Sequence, residues 1–409
     1  MKPIPQALTA ADALASALAD PRTAWAAAPG GRAWPQSLAG GAAGVALLHV
    51  VRANTGHGSW RTAHAWLSQA VSQDLTAAPN ASLYLGAPAL AFVLHAAAGS
   101  ERRYRTALEK LNDATITVTR RRLAAAHARI DRGERPAMKE FDVIRGLTGL
   151  CAYHLAHQPH HEITADVLAY LVRLTTPLPT TEALPPWWSD VSPNGQHTPD
   201  FPGGHGNFGL AHGIGSTLAL MSLALLRGLR VPEMHEAVAR ICEWTDRWRQ
   251  GDETNPWWPG FISREQATNG HIHPDLRPRP SWCYGISGTA RAQQLAGLAL
   301  NEPVRIQLAE NGILAVLRDP HQLDLLPEIG LCHGMAGLLH AAWRMAAETG
   351  SPEITAELPL LTQRLIVALD QNDLDPELLD GAAGAALVLH TLGTGSAPAP
   401  HWDTFLATA

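Results

Sequence analysis

The stretch "GMAGLLHAAW", residues 334–343, joins a Gly-x-x-Gly motif to an apolar, alanine-rich segment. The same combination recurs along the 409-residue chain, with the second glycine replaced in two of the copies. The motifs begin at Gly41, Gly86, Gly146, Gly213, Gly285, Gly334 and Gly381. The first glycines are between 45 and 72 residues apart, which indicates a repeated structural unit with loops of different length.

The apolar segment after each motif predicts a helix that is buried on most sides. More amphipathic segments precede the motifs, and these predict outer helices. The clearest of them cover residues 62–75, 162–174, 232–248 and 353–369. No alternating run is strong enough to indicate a sheet. We therefore predict an all-α fold of seven helical hairpins.

Seven hairpins can stack as an open solenoid or close into a ring. An open solenoid favours even repeat lengths and polar terminal caps, whereas here the spacing is uneven and the last apolar segment, residues 382–392, is as apolar as the central ones. The sequence therefore favours closure into an (α/α)7 toroid. We expect a single domain over residues 1–409, with substrate-binding insertions at about 175–206 and 251–281.

Composition excludes several classes of protein. With 46% hydrophobic and 17% charged residues the chain is globular, and a net charge of −6 gives no support for a nucleic-acid partner. The N-terminus lacks an apolar signal-peptide region, and the longest apolar run, "LALMSLALL" at 218–226, suits a buried helix better than a membrane span. The sequence thus predicts a cytoplasmic protein that is not an integral membrane protein.

The four cysteines are expected to stay reduced in that compartment, which favours metal binding or catalysis over disulfides. Cys283 and Cys332 lie at the same offset, two residues before the first glycine of their motifs, and His333 follows Cys332 directly. Two thiolates and one imidazole suit a zinc ion with one open coordination position, as in catalytic sites. The sequence therefore predicts a zinc site formed by these three residues.

Other polar residues near the motifs leave alternatives open. His212 and Asp380 each stand immediately before a first glycine, and Asp142 stands four residues before Gly146. His212 could be a satisfied core histidine, Asp142 could cap a helix, and Asp380 could pair with Arg145. The sequence "HIH" at 271–273 resembles a metal pair, but adjacent loop histidines are common. The pairs Trp187–Trp188 and Trp257–Trp258 could be packing residues or could contact a substrate.

The motifs "GLAHGIGS" (209–216), "SWCYGISG" (281–288) and "LCHGMAG" (331–337) resemble those of the lanthionine synthetase C-like family, the cyclases of lantibiotic biosynthesis. "FDVIRGLTG" (141–149) and "LLDGAAG" (378–384) add weaker matches, so that the resemblance covers nearly the full length. The family usually has a proline at the position of Ser287.

The resemblance implies an α/α toroid with one zinc ion held by Cys283, Cys332 and His333. It implies that His212 and Asp142 are acid/base residues. It also singles out Arg279 and Tyr284 as active-site neighbours.

The implied reaction is an intramolecular Michael addition of cysteine thiols to dehydroalanine or dehydrobutyrine in a dehydrated precursor peptide that bears a leader. The family also allows a complex with a dehydratase and an exporter, through which the protein would lie at the membrane periphery. Three alternatives remain: a zinc enzyme that adds glutathione or another small thiol, a non-catalytic scaffold that binds a leader peptide, and an α/α-barrel carbohydrate enzyme. The last would need paired carboxylates and would leave the Cys/Cys/His group without a purpose.

Overall fold

The computed structural model describes residues 1–27, 34–99, 103–178, 184–193, 195–371, 375–396 and 401–409. Nearly all of the regular structure in these ranges is helical. The helices are α1 (Pro5–Ala17), α2 (Pro21–Ala27), α3 (Ala42–Asn54), α4 (Trp60–Ala70), α5 (Ala87–Ala98), α6 (Arg105–Asp131), α7 (Met138–Phe141), α8 (Leu147–His157), α9 (Glu162–Leu174), α10 (Ile214–Leu226), α11 (Met234–Arg247), α12 (Arg264–Asn269), α13 (Ile286–Leu300), α14 (Pro303–Leu317), α15 (Pro320–Leu323), α16 (Met335–Thr349), α17 (Pro352–Leu369) and α18 (Ala382–Thr394). Short 3-10 helices cover Pro274–Leu276 and Trp402–Leu406. Within the described ranges, none of the helices has the length and apolar character that crossing a bilayer would require.

The helices after the glycine motifs are buried, as expected. In α10, every residue from Ile214 to Leu225 is buried, and α3, α5, α8, α13, α16 and α18 show the same pattern. The four predicted outer segments correspond to α4, α9, α11 and α17, each of which buries only one face. Burying a leucine or valine side chain contributes about 1.5–3 kcal/mol, so the inner helices supply most of the hydrophobic stabilisation.

The chain divides into two compact units. The first comprises residues 1–115 and 317–403. In this unit α3 packs against α5 and α18, and α16 packs against α18. The outer helices α4, α17 and α1 cover α3, α16 and α18, respectively.

The second unit comprises residues 116–316 and 404–409. Here α10 packs between α8 and α13, while α9 and α11 cover them from outside. This unit also contains a short antiparallel sheet that the sequence analysis did not predict, formed by β1 (His205–Asn207) and β2 (Phe261–Ser263). Strands of three residues are too short to produce a detectable alternating pattern. The sheet joins the end of the first predicted insertion to the middle of the second. Residues 179–183 and 194 of the first lie outside the described residues.

The first glycine of every motif is the N-cap of the following helix. Close backbone contact explains the choice of glycine in the fifth motif. A Cβ atom at Gly285 would lie 2.1 Å from the carbonyl oxygen of Arg279. One at Gly288 would lie 2.2 Å from the carbonyl oxygen of Trp282 and 2.8 Å from Cβ of Leu210. All three distances are shorter than real Cβ contacts, so both positions exclude a side chain.

Backbone hydrogen bonds join the loops before neighbouring motifs within each unit. In the second unit, Val143 N–H donates to the carbonyl of Ala211, and Ala211 N–H donates to the carbonyl of Cys283, both at 3.3 Å. In the first unit, Leu331 and Cys332 both donate to the carbonyl of Leu379, at 2.8 and 2.9 Å. Within each unit, these bonds hold the residues before the glycines of neighbouring motifs next to one another.

Candidate active site

Asp142 and His212 come from neighbouring motif loops of the second unit and form a direct pair. His212 Nδ1 lies 2.7 Å from Asp142 Oδ2. The other carboxylate oxygen, Oδ1, accepts the backbone N–H groups of Arg145 and Gly146 at 2.6 and 2.7 Å. The Asp142 side chain is 1% exposed and that of His212 is 33% exposed. The side chain of Asp142 therefore fixes the loop before α8 and orients the imidazole of His212. It is not a helix cap, because the N-cap of α8 is Gly146 and no side chain caps this helix.

Tyr284 lies beside this pair. Its ring centroid is 6.4 Å from that of His212, with the planes tilted by 34°. Its ring packs on Gly209, where a Cβ atom would lie 2.8 Å from the Tyr284 ring. The structure thus brings together three of the four residues for which the resemblance implied a catalytic role.

Arg279, the fourth, lies in the loop before α13 and is half-buried. Its carbonyl oxygen accepts the N–H of Ser281 at 2.8 Å, which forms a tight turn just before Cys283. The turn places Arg279 in the loop that carries Cys283. Its catalytic role stays a prediction.

Arg122 was not singled out by the sequence analysis, because nothing distinguishes it from the other arginines of a long helix. It lies in α6, and its guanidinium Nη1 donates to the carbonyl oxygen of Arg145. Burial lowers the pKa of Arg122, while the negative charge of Asp142 raises it. Arg122 thus supplies positive charge close to Asp142.

Cys283 is buried directly before α13. Its Sγ lies 3.4 Å from Ser281 Oγ, and its carbonyl accepts the N–H of Ala211 from the His212 loop. Ser287, which stands where the family usually has proline, donates from Oγ to the carbonyl of Pro280. This hydrogen bond ties the start of α13 to the loop before Cys283.

Cys332 and His333 lie directly before α16 in the first unit. Cys332 is buried, whereas the His333 side chain is 42% exposed. His333 Nδ1 lies 3.1 Å from Asp380 Oδ1. The sequence analysis left a pairing of Asp380 with Arg145 open, but the partner of Asp380 is His333.

Cys283, Cys332 and His333 form a group that could hold a metal ion, and their ligand atoms all lie within 4.8 Å of one another. Bonds from zinc of about 2.3 Å to sulfur and about 2.0–2.1 Å to nitrogen keep the ligands of one ion within that distance of one another. The donor set, two sulfurs and one imidazole nitrogen, fits zinc.

The remaining cysteines behave as core residues. Cys151 and Cys242 are buried free thiols, and burial raises the pKa of both, that of Cys242 to about 12. A thiol with such a pKa is neither a nucleophile nor a ready metal ligand near neutral pH. Position in the repeat, two residues before a first glycine, thus separates the two cysteines of the candidate metal group from the packing cysteines.

Two other sequence features have structural roles. His273 caps the 3-10 helix at Pro274–Leu276 through its Nδ1, and both His271 and His273 are exposed. The tryptophans of both pairs are buried, with exposed fractions between 0% and 7%. One of them, Trp188, donates to the carbonyl of Gly203. These residues pack the loops of the second unit.

Comparisons with known proteins point to one family. A family model described as lanthionine synthetase C-like protein matches residues 32–407. The nisin biosynthesis protein NisC of Lactococcus lactis subsp. lactis is 23% identical over 263 residues, and this match spans 63% of the chain and 60% of the relative. The solved structure of nisin cyclase is similar with a TM-score of 0.78 and 19% identity, over 92% of this chain and 93% of that one. The structural likeness confirms the predicted fold class, an α/α toroid.

Proposed function

Because the chain belongs to the lanthionine synthetase C-like family, we propose that it is a zinc-dependent lanthionine cyclase. Its substrate would be a dehydrated, leader-bearing precursor peptide. The observation that carries the proposal is the Cys283, Cys332 and His333 group, whose ligand atoms lie within 4.8 Å of one another.

The three ligands leave a fourth position for a substrate. Two thiolates and one neutral imidazole give a zinc centre without net charge. Bound zinc would lower the pKa of an incoming peptide thiol, which is about 8.5 when free, so that the sulfur is present as thiolate near neutral pH. The chain itself would supply the groups that move protons and stabilise the developing charge.

His212 is suited to proton transfer because Asp142 fixes its orientation. The Nδ1–H donates to Asp142, so Nε2 carries the lone pair and can accept or return a proton. The buried Asp142 stays in place because its second oxygen is bound to two backbone N–H groups. Arg279 would stabilise the enolate oxygen, and Tyr284, whose ring lies beside that of His212, would border the reacting groups.

The reaction balances as an addition. The S–H bond of a cysteine breaks, and its proton goes to His212 or to solvent. A bond forms between the sulfur and Cβ of the dehydrated residue, and the π electrons move onto the enolate. A proton delivered to Cα completes the (methyl)lanthionine thioether, so that no oxidant or other co-reactant is needed.

The same proposal covers the partners and the organisation of the chain. We propose that the protein is cytoplasmic. In a complex with a dehydratase and an exporter it would lie at the membrane periphery. The proposal also includes a single domain over residues 1–409, with the segments at about 175–206 and 251–281 contributing to peptide binding. The short β1–β2 sheet supports a shared role of these two segments.

The test compares Cys332→Ala with His212→Asn. The purified variants are analysed for zinc and incubated with a dehydrated precursor, and the remaining free thiols are counted by mass spectrometry. The cysteine variant should lose zinc and cyclisation together. The histidine variant should keep zinc and cyclise about 10²–10⁴-fold more slowly, the range for loss of a general acid or base.

Three results would count against the proposal. If the purified wild-type protein contains no zinc, the proposed metal site is wrong. Loss of zinc from His212→Asn would contradict the proposal that His212 transfers protons and does not bind the metal. Transfer of added glutathione to the dehydrated residues, with the peptide thiols left free, would favour the small-thiol enzyme instead. Cys242→Ala, which removes a buried packing cysteine, is the matched control for the cysteine variant.

A further inference from the structure

Asp380 contacts the outer side of the His333 imidazole. Asp380 Oδ1 lies 3.1 Å from His333 Nδ1. A neutral imidazole has one N–H and one lone pair. When Nδ1–H donates to Asp380, the lone pair is on Nε2, which is the atom left for a metal ion.

The backbone fixes this pair independently of the side chains. The N–H groups of Leu331 and Cys332 donate to the carbonyl oxygen of Leu379, the residue before Asp380. Gly330 packs against Asp380 itself, since a Cβ atom at Gly330 would lie 2.6 Å from Cα of Asp380. The position of the loop with Cys332 and His333 relative to the loop with Asp380 is therefore fixed by the backbone.

The pair contributes little to the stability of the fold. Both side chains are substantially exposed, 42% for His333 and 44% for Asp380, and ion pairs with such exposure are worth about 0–1 kcal/mol. A role in holding the unit together therefore does not explain the arrangement. Orientation of a metal ligand does, because histidine ligands of metals nearly always donate their second N–H to a carboxylate, a carbonyl or water.

We infer that Asp380 is a positioning residue of the metal site: it accepts the Nδ1–H of His333, selects the tautomer with the lone pair on Nε2 and keeps the ring in place for zinc. This inference rests on the proposed zinc site. Asp380 contacts neither the substrate nor the ion in this arrangement. Asp380 instead contributes to the affinity of the site for zinc and to the orientation of the His333 ligand.

The experiment measures zinc affinity by competition with a chromophoric chelator, using the full-length protein. Asp380→Ala should raise the dissociation constant of zinc by about 10–100-fold, the range for loss of an outer-shell partner. Asp380→Asn, which keeps a neutral acceptor, should restore part of the affinity. Asp375→Asn is the matched control, because it removes one negative charge from the same loop and its Oδ1 accepts a backbone N–H from Glu377.

A spectroscopic readout separates orientation from a general loss of structure. With cobalt(II) in place of zinc, Asp380→Ala should change the visible absorption spectrum, whereas Asp375→Asn should leave it as in the wild type. Circular dichroism should show equal helix content in all variants. A loss of helix in Asp380→Ala alone would contradict the inference, because it would give the pair a role in folding.

The outcomes separate failure of the inference from failure of the proposed function. If wild type binds zinc, Cys332→Ala does not, and Asp380→Ala binds zinc as tightly as wild type, only the inference is wrong. Equal weakening by Asp380→Ala and Asp375→Asn would also overturn it, because loop charge would then explain the effect. If wild-type protein binds no zinc, the proposed metal site is wrong and the inference falls with it.

Discussion

Two aspartate–histidine pairs occur in the same structural context but differ in burial. His212 and His333 both stand immediately before the first glycine of a motif. Each pairs through Nδ1 with an aspartate from a neighbouring motif loop, Asp142 at 2.7 Å and Asp380 at 3.1 Å. Asp142 is 1% exposed and Asp380 is 44% exposed.

Under the proposed function, the same repeat position serves two kinds of chemistry. Asp142 binds two backbone N–H groups in addition to His212, so it belongs to the framework of α8 as well as to the site. The side chain of Asp380 pairs with His333, next to a cysteine that could bind metal. The buried pair is suited to moving a proton, and the exposed pair is suited to orienting a metal ligand.

The largest expected effect concerns cyclisation when the buried pair is broken. Asp142→Asn should slow cyclisation by about 10²-fold or more, because an amide in place of the carboxylate no longer selects the tautomer of His212. The double variant Asp142→Asn/His212→Asn should be no slower than His212→Asn alone, since residues that act as a unit are not additive. Rates are measured by mass spectrometry at saturating zinc.

Additive losses in this cycle would mean that the two residues act separately. The corresponding variant of the other pair, Asp380→Asn, is the comparison. At saturating zinc its cyclisation rate should approach that of wild type, because its effect is on metal affinity. If Asp380→Asn slows cyclisation at saturating zinc as much as Asp142→Asn does, the two pairs do not have different functions.

A second expected effect concerns the free energy of unfolding. Asp142→Ala should lower it by about 2–4 kcal/mol, because two backbone N–H groups and His212 lose a buried, charged partner, and such hydrogen bonds contribute about 1.5–3 kcal/mol. Asp142→Asn keeps an acceptor for the backbone and should cost less. Asp380→Ala should change the value by less than about 1 kcal/mol, as expected for an exposed pair.

Chemical denaturation followed by circular dichroism gives the comparison, with all variants measured without metal so that zinc does not stabilise one of them selectively. Similar destabilisation by Asp142→Ala and Asp380→Ala would contradict the assignment of a structural role to Asp142 alone.

Much of the fold could be predicted from the sequence because the glycine motifs mark where the inner helices begin. A predicted outer segment, residues 162–174, coincides with α9, since its apolar residues follow the helical period. The β1–β2 sheet escaped prediction because each strand has only three residues.

The grouping of Cys283 with Cys332 could be predicted from the sequence, because both cysteines have the same position in the repeat. The contact of Asp380 with His333 was not predictable, because nothing in the sequence says which neighbouring loop an aspartate will face. Arg122 was missed for a related reason: it lies in the interior of α6, far in sequence from any motif, and only packing brings it near Asp142.

The smallest expected effect concerns four buried histidines that do not belong to the two aspartate–histidine pairs. Burial lowers the pKa of His49, His154, His205 and His390 to about 4 each. A histidine with a lowered pKa stabilises the folded state above its unfolded pKa of about 6.5, and this stabilisation is lost as the pH falls toward 4. The free energy of unfolding should therefore decrease between pH 6.5 and 4.

His49 offers the test, because its Nε2 bonds only to the carbonyl of Leu18 at 3.0 Å in the described contacts. His49→Gln keeps a donor but cannot be protonated, so the stability of this variant should fall less between pH 7 and pH 5, by on the order of 1–2 kcal/mol. His321→Gln, at an exposed histidine, is the control and should follow wild type. An unchanged pH dependence in His49→Gln would show that acid lability arises elsewhere, and the two aspartate–histidine pairs would then be the first groups to examine.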